Sequence, residues 1–266
     1  MACRKLAAVF GLGGDGESLC DFWANNNETM NLSGKKVMIG LSGGINSMAV
    51  LCWLGELPSE QHPDELHLFY ADFKEHSDDT IQFVLDGVFW AKGRFKNVVY
   101  VQTDNAVMEY FEEEGMIPHP TVSPCSRVLK IEPMLRYCYQ HGIHMDLIGY
   151  VSHEARRYKR MLAKGVGDMF FQKSFPIIGQ SDDWCFEIVD KYIGWHPKIY
   201  DIRDDKGRRV FKHNNCLPCK NMTPKQLLAV KEHYPEKYAR ALEVEQNTGS
   251  YFGRSKCDSG CSVCEF

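Results

Sequence analysis

No run of eighteen apolar residues occurs in this chain of 266 residues, so no membrane-spanning helix is expected. An excess of positive charge is also missing: 31 Lys and Arg stand against 35 Asp and Glu, for a net charge of −4. That excludes a global basic field for nucleic acid while leaving room for a local patch. There is no internal repeat and no low-complexity tract. Met1–Phe10 has the outline of a signal peptide but runs into Gly11–Gly16 without a cleavage region, so a cytoplasmic chain is expected. Apolar residues at 44% and charged residues at 25% allow a sizeable core, in one α/β domain with a small appendage or in two modest domains.

Cysteine, by contrast, is abundant. Eleven are present, and an odd total in a cytoplasmic chain argues against a disulfide framework and for metal or redox chemistry. Cys3, Cys20, Cys52, Cys138 and Cys185 are scattered and read as small packing residues. Cys216 and Cys219 are separated by two residues, and Cys257, Cys261 and Cys264 crowd the last ten positions; Cys125 makes a sixth. Two short-spaced pairs can grip one metal ion, because the intervening turn aims both sulfurs the same way. The expected ligands are Cys216, Cys219, Cys261 and Cys264, with Cys257 as the alternative to one of them. Zinc and an iron–sulfur cluster both suit such thiolates, and redox-active or sulfur-passing thiols are the third reading.

The most informative stretch is Val37–Leu51, an apolar run, then Ser42-Gly43-Gly44-Ile45-Asn46-Ser47, then apolar residues at helical spacing. It predicts a buried strand, a tight glycine turn and a helix opening at once. Gly43 and Gly44 let the backbone take positive φ and bring its N–H groups close to a ligand. With the unpaired N–H groups and positive end of the new helix, and the hydroxyls of Ser42 and Ser47, the turn predicts a cradle for nucleotide phosphate. No Gly-Lys-Ser/Thr follows, so it is not a Walker loop.

Further along, Glu65–Asp72, Asn97–Gln102 and His144–Val151 read as strands. Helical patterns cover residues 77–93, about 105–114, 131–140 and one amphipathic helix over Thr223–Leu242, with Thr223 as N-cap before Pro224. Strands alternating with helices predict an α/β fold, a parallel twisted sheet with helices on both faces, whose ligand lies beyond the strand C-termini. The glycine turn, Asp72 and Gly149 fall on that edge. The expected division is an extension over 1–34, a nucleotide-binding α/β domain over 35–205 and a Cys-rich, metal-binding segment over 206–266.

The hexapeptide resembles the PP-loop signature Ser-Gly-Gly-x-Asp-Ser of the adenine nucleotide alpha-hydrolase superfamily, with Asn46 where Asp is usual. An amide brings no charge to hold Mg²⁺, so a Mg²⁺ ion is less firmly implied than ATP or a related adenine nucleotide. Three later segments are similar to the phosphoadenosine-phosphosulfate reductase family: Pro124–Pro133, Gly149–Arg157, and Phe175–Trp184 followed by the Cys216–Cys219 pair. The resemblance, over about residues 35–222, implies a nucleotide site of Ser42, Gly43, Gly44, Asn46, Ser47, Asp72, Arg127, Gly149, Arg156 and Arg157. Arginine forks suit phosphate or sulfate oxygens, although a solvated helix face explains Arg156 and Arg157 equally well. The family's Cys-Cys pair is reduced to Cys125, and its Glu-Cys-Gly-Leu/Ile-His tail is replaced by Cys257–Phe266; Cys125 and Cys261 are the candidate catalytic thiols.

Three functions are expected, the first two from the resemblance and the third from Asn46. The first is ATP-dependent adenylation with sulfur transfer to an acceptor such as a nucleobase or nucleic-acid backbone, with nucleic acid or a sulfur-donor protein as partner. The second is reduction of an adenylyl sulfate with release of sulfite. The third is a nucleotide-binding regulatory protein that has lost catalysis.

Overall fold

The computed structural model describes residues 30–163 and 171–252. Cys257, Cys261 and Cys264, together with nearly all of the 1–34 extension, lie outside them. Among the described residues five strands form one sheet: β1 (Lys36–Leu41), β2 (Glu65–Phe73), β3 (Val98–Asn105), β4 (Met145–Leu147) and β5 (Gln172–Ser174). Their order is β3-β2-β1-β4-β5. β1 pairs in parallel with β2 and β4, and β4 with β5. The alternation of strands and helices thus produced the expected parallel sheet. β1 is central, which explains why Val37, Met38, Ile39 and Leu41 are all buried.

The helices are α1 (Ile45–Glu56), α2 (Thr80–Arg94), α3 (Val107–Glu113), α4 (Glu132–His141), α5 (Ala155–Ala163), α6 (Asp182–Tyr192), α7 (Pro224–His233) and α8 (Pro235–Thr248). A wide π turn at Arg127–Ile131 leads into α4. α1 buries ten of its twelve residues, so it is apolar nearly all round and packs against α6.

Two expected elements differ. The single helix over Thr223–Leu242 is two helices, because Pro235 lacks the N–H a continuing helix needs and pushes Tyr234 (φ −138°, ψ 58°) out of the helical region. The strand expected over His144–Val151 is confined to Met145–Leu147; beyond it the chain turns toward the glycine loop described below.

The chain forms two compact units. Stretches within Met1–Tyr70, Gln82–Val101 and Arg136–His196 make the first, and stretches within Ala71–Ile81, Gln102–Leu135 and Pro197–Phe266 the second. In the first, the core gathers around β1, α1 and α6, with Met38 against the Cys138 thiol at 3.4 Å. In the second, α8 packs on α3 and α7, and the Phe252 and Phe111 rings meet tilted with centroids 5.9 Å apart. Among the described residues no helix is long and apolar enough to cross a membrane.

Candidate nucleotide loop and thiol site

The turn after β1 is built as its composition predicts. Gly43 sits at φ +72°, in the left-handed region that a side chain strains to enter. Gly44 follows as the N-cap of α1, extended at φ −94° and ψ 159°, with no side-chain cap and no acidic residue in the first turn of the helix. An N-terminus left without a capping side chain or a carboxylate suits an external anion.

The two serines hold the loop's shape. Ser47 Oγ donates to Gly44 O at 3.0 Å and accepts from Ser42 N at 3.1 Å. The two hydroxyls are 3.1 Å apart, and Gly44 N reaches Ser42 Oγ at 3.4 Å. Their first task is therefore to stiffen the turn. Gly149, just past β4, explains its own lack of a side chain. A Cβ there would lie 2.7 Å from Asn46 O and 3.2 Å from Ser47 N. The chain leaving β4 thus lies directly against the glycine loop, a proximity that residue spacing alone does not reveal.

The remaining residues assigned to the nucleotide are more dispersed. Arg157 donates to the buried Glu154 carboxylate and lies 4.6 Å over the Tyr150 ring, while Arg156 is exposed. Asp72, near the end of β2, accepts from Gln102 Nε2 at 2.9 Å, and Arg127 pairs with Glu132 at 2.7 Å on an exposed surface. Asp72 and Arg127 belong to the second unit; the loop, Gly149 and the two other arginines belong to the first.

In the second unit the turn Cys216–Cys219 is anchored where Leu217 N donates to Glu75 O at 2.8 Å and Met222 N to Cys219 O at 2.9 Å. Burial pushes the Cys216 thiol well above its ordinary pKa, and the nearby Cys219, Glu75 and Cys125 add to the rise. Cys219 is raised by burial and by Cys125, against the lowering effect of the Asn221 N–H and of Lys220. Three thiols, one far away in sequence, therefore lie within electrostatic reach of one another. A positive metal centre is the natural relief for buried thiols that resist ionising alone. Among the described residues no three His, Cys, Asp or Glu side chains converge closely enough to hold one metal ion. The four-cysteine site expected from Cys216, Cys219, Cys261 and Cys264 rests half on positions outside the described residues, as does the catalytic candidate Cys261. Beside Cys219 a cavity of about 330 Å³ is lined by Lys212, His213, Asn215, Asn221 and Gln226, with no carboxylate among its walls.

The chain is similar to several solved enzymes. A tRNA thiolase, NcsA, from Methanococcus maripaludis with its 4Fe–4S cluster shares 16% identity at a TM-score of 0.47, over 93% of this chain and 86% of that one. Phosphoadenylyl-sulfate reductase from Candida auris, in a phosphate complex, shares 12% at 0.45 over 71% and 94%. NMN synthetase from Francisella tularensis shares 12% at 0.41 over 98% of both chains. At these values the likeness fixes neither activity nor residue roles. No family profile and no curated protein matches the sequence.

Of the scattered cysteines, Cys3 and Cys20 lie outside the described residues, and the other three are packing residues. Cys52, Cys138 and Cys185 are buried, and burial pushes the first two up to about 12. Three buried polar residues escaped the sequence reading. Glu75 accepts from Val107 N and Met108 N, both at 3.0 Å, and so caps α3. His76 is held neutral, lowered to about 3 by burial with Lys130 and Lys237 nearby. Lys220, next to Cys219, is 3% exposed. None sits in a recognisable motif; adjacency to a cysteine was the only signal for Lys220.

Proposed function

We propose that this chain is an adenine-nucleotide-using enzyme of the PP-loop type, in the manner of the phosphoadenosine-phosphosulfate reductase family that its sequence resembles. The observation that carries the reading is the glycine turn: Gly43 at positive φ, Gly44 as an uncapped helix start, and Gly149 packed on Asn46 O. The N–H groups at the start of α1 would meet the nucleotide's phosphates, and Ser42 and Ser47 would keep those donors in place before any charge develops. Arg156 is the nearest exposed guanidinium in sequence to Gly149 and would hold the nucleotide's outer charge.

The reaction that fits best is activation of an acceptor oxygen by adenylation, pyrophosphate leaving, followed by displacement of AMP by a sulfur nucleophile. A nucleobase or nucleic-acid backbone is the acceptor class, with a nucleic acid or sulfur-donor protein as partner. Cys216 and Cys219, joined by Cys261 and Cys264 with Cys257 as the alternative, would hold the sulfur-handling centre, and Cys125 or Cys261 would act as the free thiol. Thiolates in this number suit zinc or an iron–sulfur cluster, which would stabilise the site or handle sulfur. Asn46 would bind through its amide rather than through charge, so Mg²⁺ must be held largely by the nucleotide.

Pyrophosphate release from ATP, measured with a panel of RNA and DNA acceptors, tests the reading. Acceptor-dependent release that is lost in Gly149→Val supports it. Sulfite release from an adenylyl sulfate, without ATP turnover, would replace it with the reductase reading.

A further inference from the structure

The cavity of about 330 Å³ beside Cys219 lies wholly within the second unit. Three carboxamides, Asn215, Asn221 and Gln226, share its walls with the Lys212 ammonium and the apolar side chains of Phe211 and Met222. The frame around it is held by internal hydrogen bonds. Asn214 is buried just before Asn215; its N donates to Tyr200 Oη at 3.1 Å and its Nδ2 to Thr80 Oγ1 at 2.8 Å. Gln226 Nε2 donates to Val210 O at 3.2 Å, and its Oε1 accepts from Thr223 N at 3.0 Å, which joins the start of α7 to the stretch before Phe211. Met222 N closes the remaining side onto Cys219 O at 2.9 Å. A ligand entering such a frame has little ordering left to impose on it.

Two of the amides are not consumed by that frame. Asn221 Oδ1 accepts from Lys220 Nζ at 3.0 Å, while its Nδ2 donates to nothing among the described residues. The Asn215 side chain and Lys212 Nζ likewise make no hydrogen bond among them. All three are exposed, so water alone could satisfy them; their convergence on one cavity is what points to a ligand. A carboxamide matches an edge on which a donor stands beside an acceptor, the pattern that nucleobases display, and Asn221, with donors only, suits a base carbonyl or ring nitrogen. A bare anion would call for guanidinium forks, and the walls carry none. The volume is at the lower end of the range for ligand cavities, about 300–1,000 Å³, which suits a single unpaired base and not a duplex.

We propose that this cavity binds one unpaired nucleobase of a single-stranded nucleic acid, with Asn215 and Asn221 reading the base edge and Lys212 meeting the adjoining phosphate. A base seated there lies beside the Cys219 sulfur, which shares the same wall. That the bound base is the acceptor of the reaction rests on the function proposed above; the binding itself does not.

The test titrates the full chain, without ATP, into short fluorescent single strands of RNA and DNA that contain no adenine, which keeps the readout off the glycine turn. Each strand is paired with a control in which abasic positions replace the bases. The wild type is expected to bind intact strands about tenfold or more tighter than abasic ones. Asn215→Ala and Asn221→Ala each narrow that gap severalfold and leave the abasic affinity unchanged. Lys212→Ala instead weakens both kinds of strand alike and lowers the salt dependence. Because Asn215 holds no bond within the described fold, its replacement decides the matter even if Asn221→Ala, which also deprives Lys220 of a partner, fails to fold. No binding, equal affinity for intact and abasic strands, or an undiminished gap in Asn215→Ala overturns the proposal. Free uridine, cytidine and guanosine are titrated in parallel; one that binds as tightly as the strands and is lost in Asn215→Ala overturns the strand as the ligand's source in favour of the free nucleoside. A failure of ATP to bind the glycine turn would defeat the proposed function and leave these results standing.

Discussion

Gly149 shows how much one absent side chain can decide. The methyl of Gly149→Ala would lie 2.7 Å from Asn46 O, inside any ordinary contact. Relief requires the glycine loop to move, at a strain of about 1–3 kcal/mol. We expect adenine-nucleotide affinity to fall about tenfold for each 1.4 kcal/mol of lost complementarity, measured by calorimetric titration. Unchanged affinity would show that the loop does not contact the nucleotide. Asn46→Asp works in the opposite direction. Restoring a carboxylate where the PP-loop pattern has one should make nucleotide binding more dependent on Mg²⁺, read as the ratio of affinities with and without the ion. The sequence displayed Gly43, Gly44 and both serines as a motif. It placed Gly149 on the same sheet edge and in the family-like segment but not against Asn46, because a close approach between distant segments leaves no local pattern.

Two buried groups carry opposite dependences on pH. Asp146, on β4, is raised to about 7 by burial, with Lys173 opposing the rise. Its folded pKa exceeds its unfolded one, so the stability it confers is full below pH ~4 and is lost as pH rises toward 7. His76 is lowered to about 3, so it penalises folding as pH falls from ~6.5 toward 3. Asp146 lies in the first unit and His76 in the second. Between pH 4 and 6.5 the first unit should weaken as pH rises while the second strengthens, each by up to about 1.4 kcal/mol per pH unit. Chemical unfolding of Asp146→Asn across that range should remove the first trend and leave the second. Loss of both trends, or of neither, contradicts the assignment.

At the scale of elements, local chemistry was legible and long-range packing was not. Thr223 and Gln226 form a reciprocal cap at the start of α7, with Thr223 N donating to Gln226 Oε1 at 3.0 Å, and the sequence gives that cap directly as Thr before Pro224. Thr223→Ala should cost about 1 kcal/mol in the stability of the second unit, measured by denaturant titration, and leave nucleotide affinity unchanged. The break between α7 and α8 was equally available in Pro235, yet the amphipathic pattern continues across it and masks the interruption. The short β4 was overestimated because Ile148–Val151 stays apolar after pairing with β1 ends at Leu147. Apolar character persists where the ladder does not: Ile148–Tyr150 are half-buried and Val151 buried, without pairing to β1. The central strand β1, buried on both sides, is the case in which apolar run and strand coincide.

For the molecule as a whole, the parallel sheet followed from the alternation of elements, whereas the two compact units did not. Each unit is assembled from three separated stretches of chain, and β2 and β3 each pass from one to the other at Tyr70–Ala71 and Val101–Gln102. No shift in composition marks those points, since each falls inside a strand. The same interleaving brings Cys125 to Cys216 and Cys219 across some ninety residues of sequence, a gathering that spacing cannot express. The central claim is that the turn Ser42–Ser47 binds an adenine nucleotide. Calorimetric titration of ATP and AMP into the wild-type chain and into Gly149→Val tests it most directly. Saturable binding by the wild type that is absent from a folded Gly149→Val chain is the predicted result; no binding by the wild type, or equal binding by both, would contradict it.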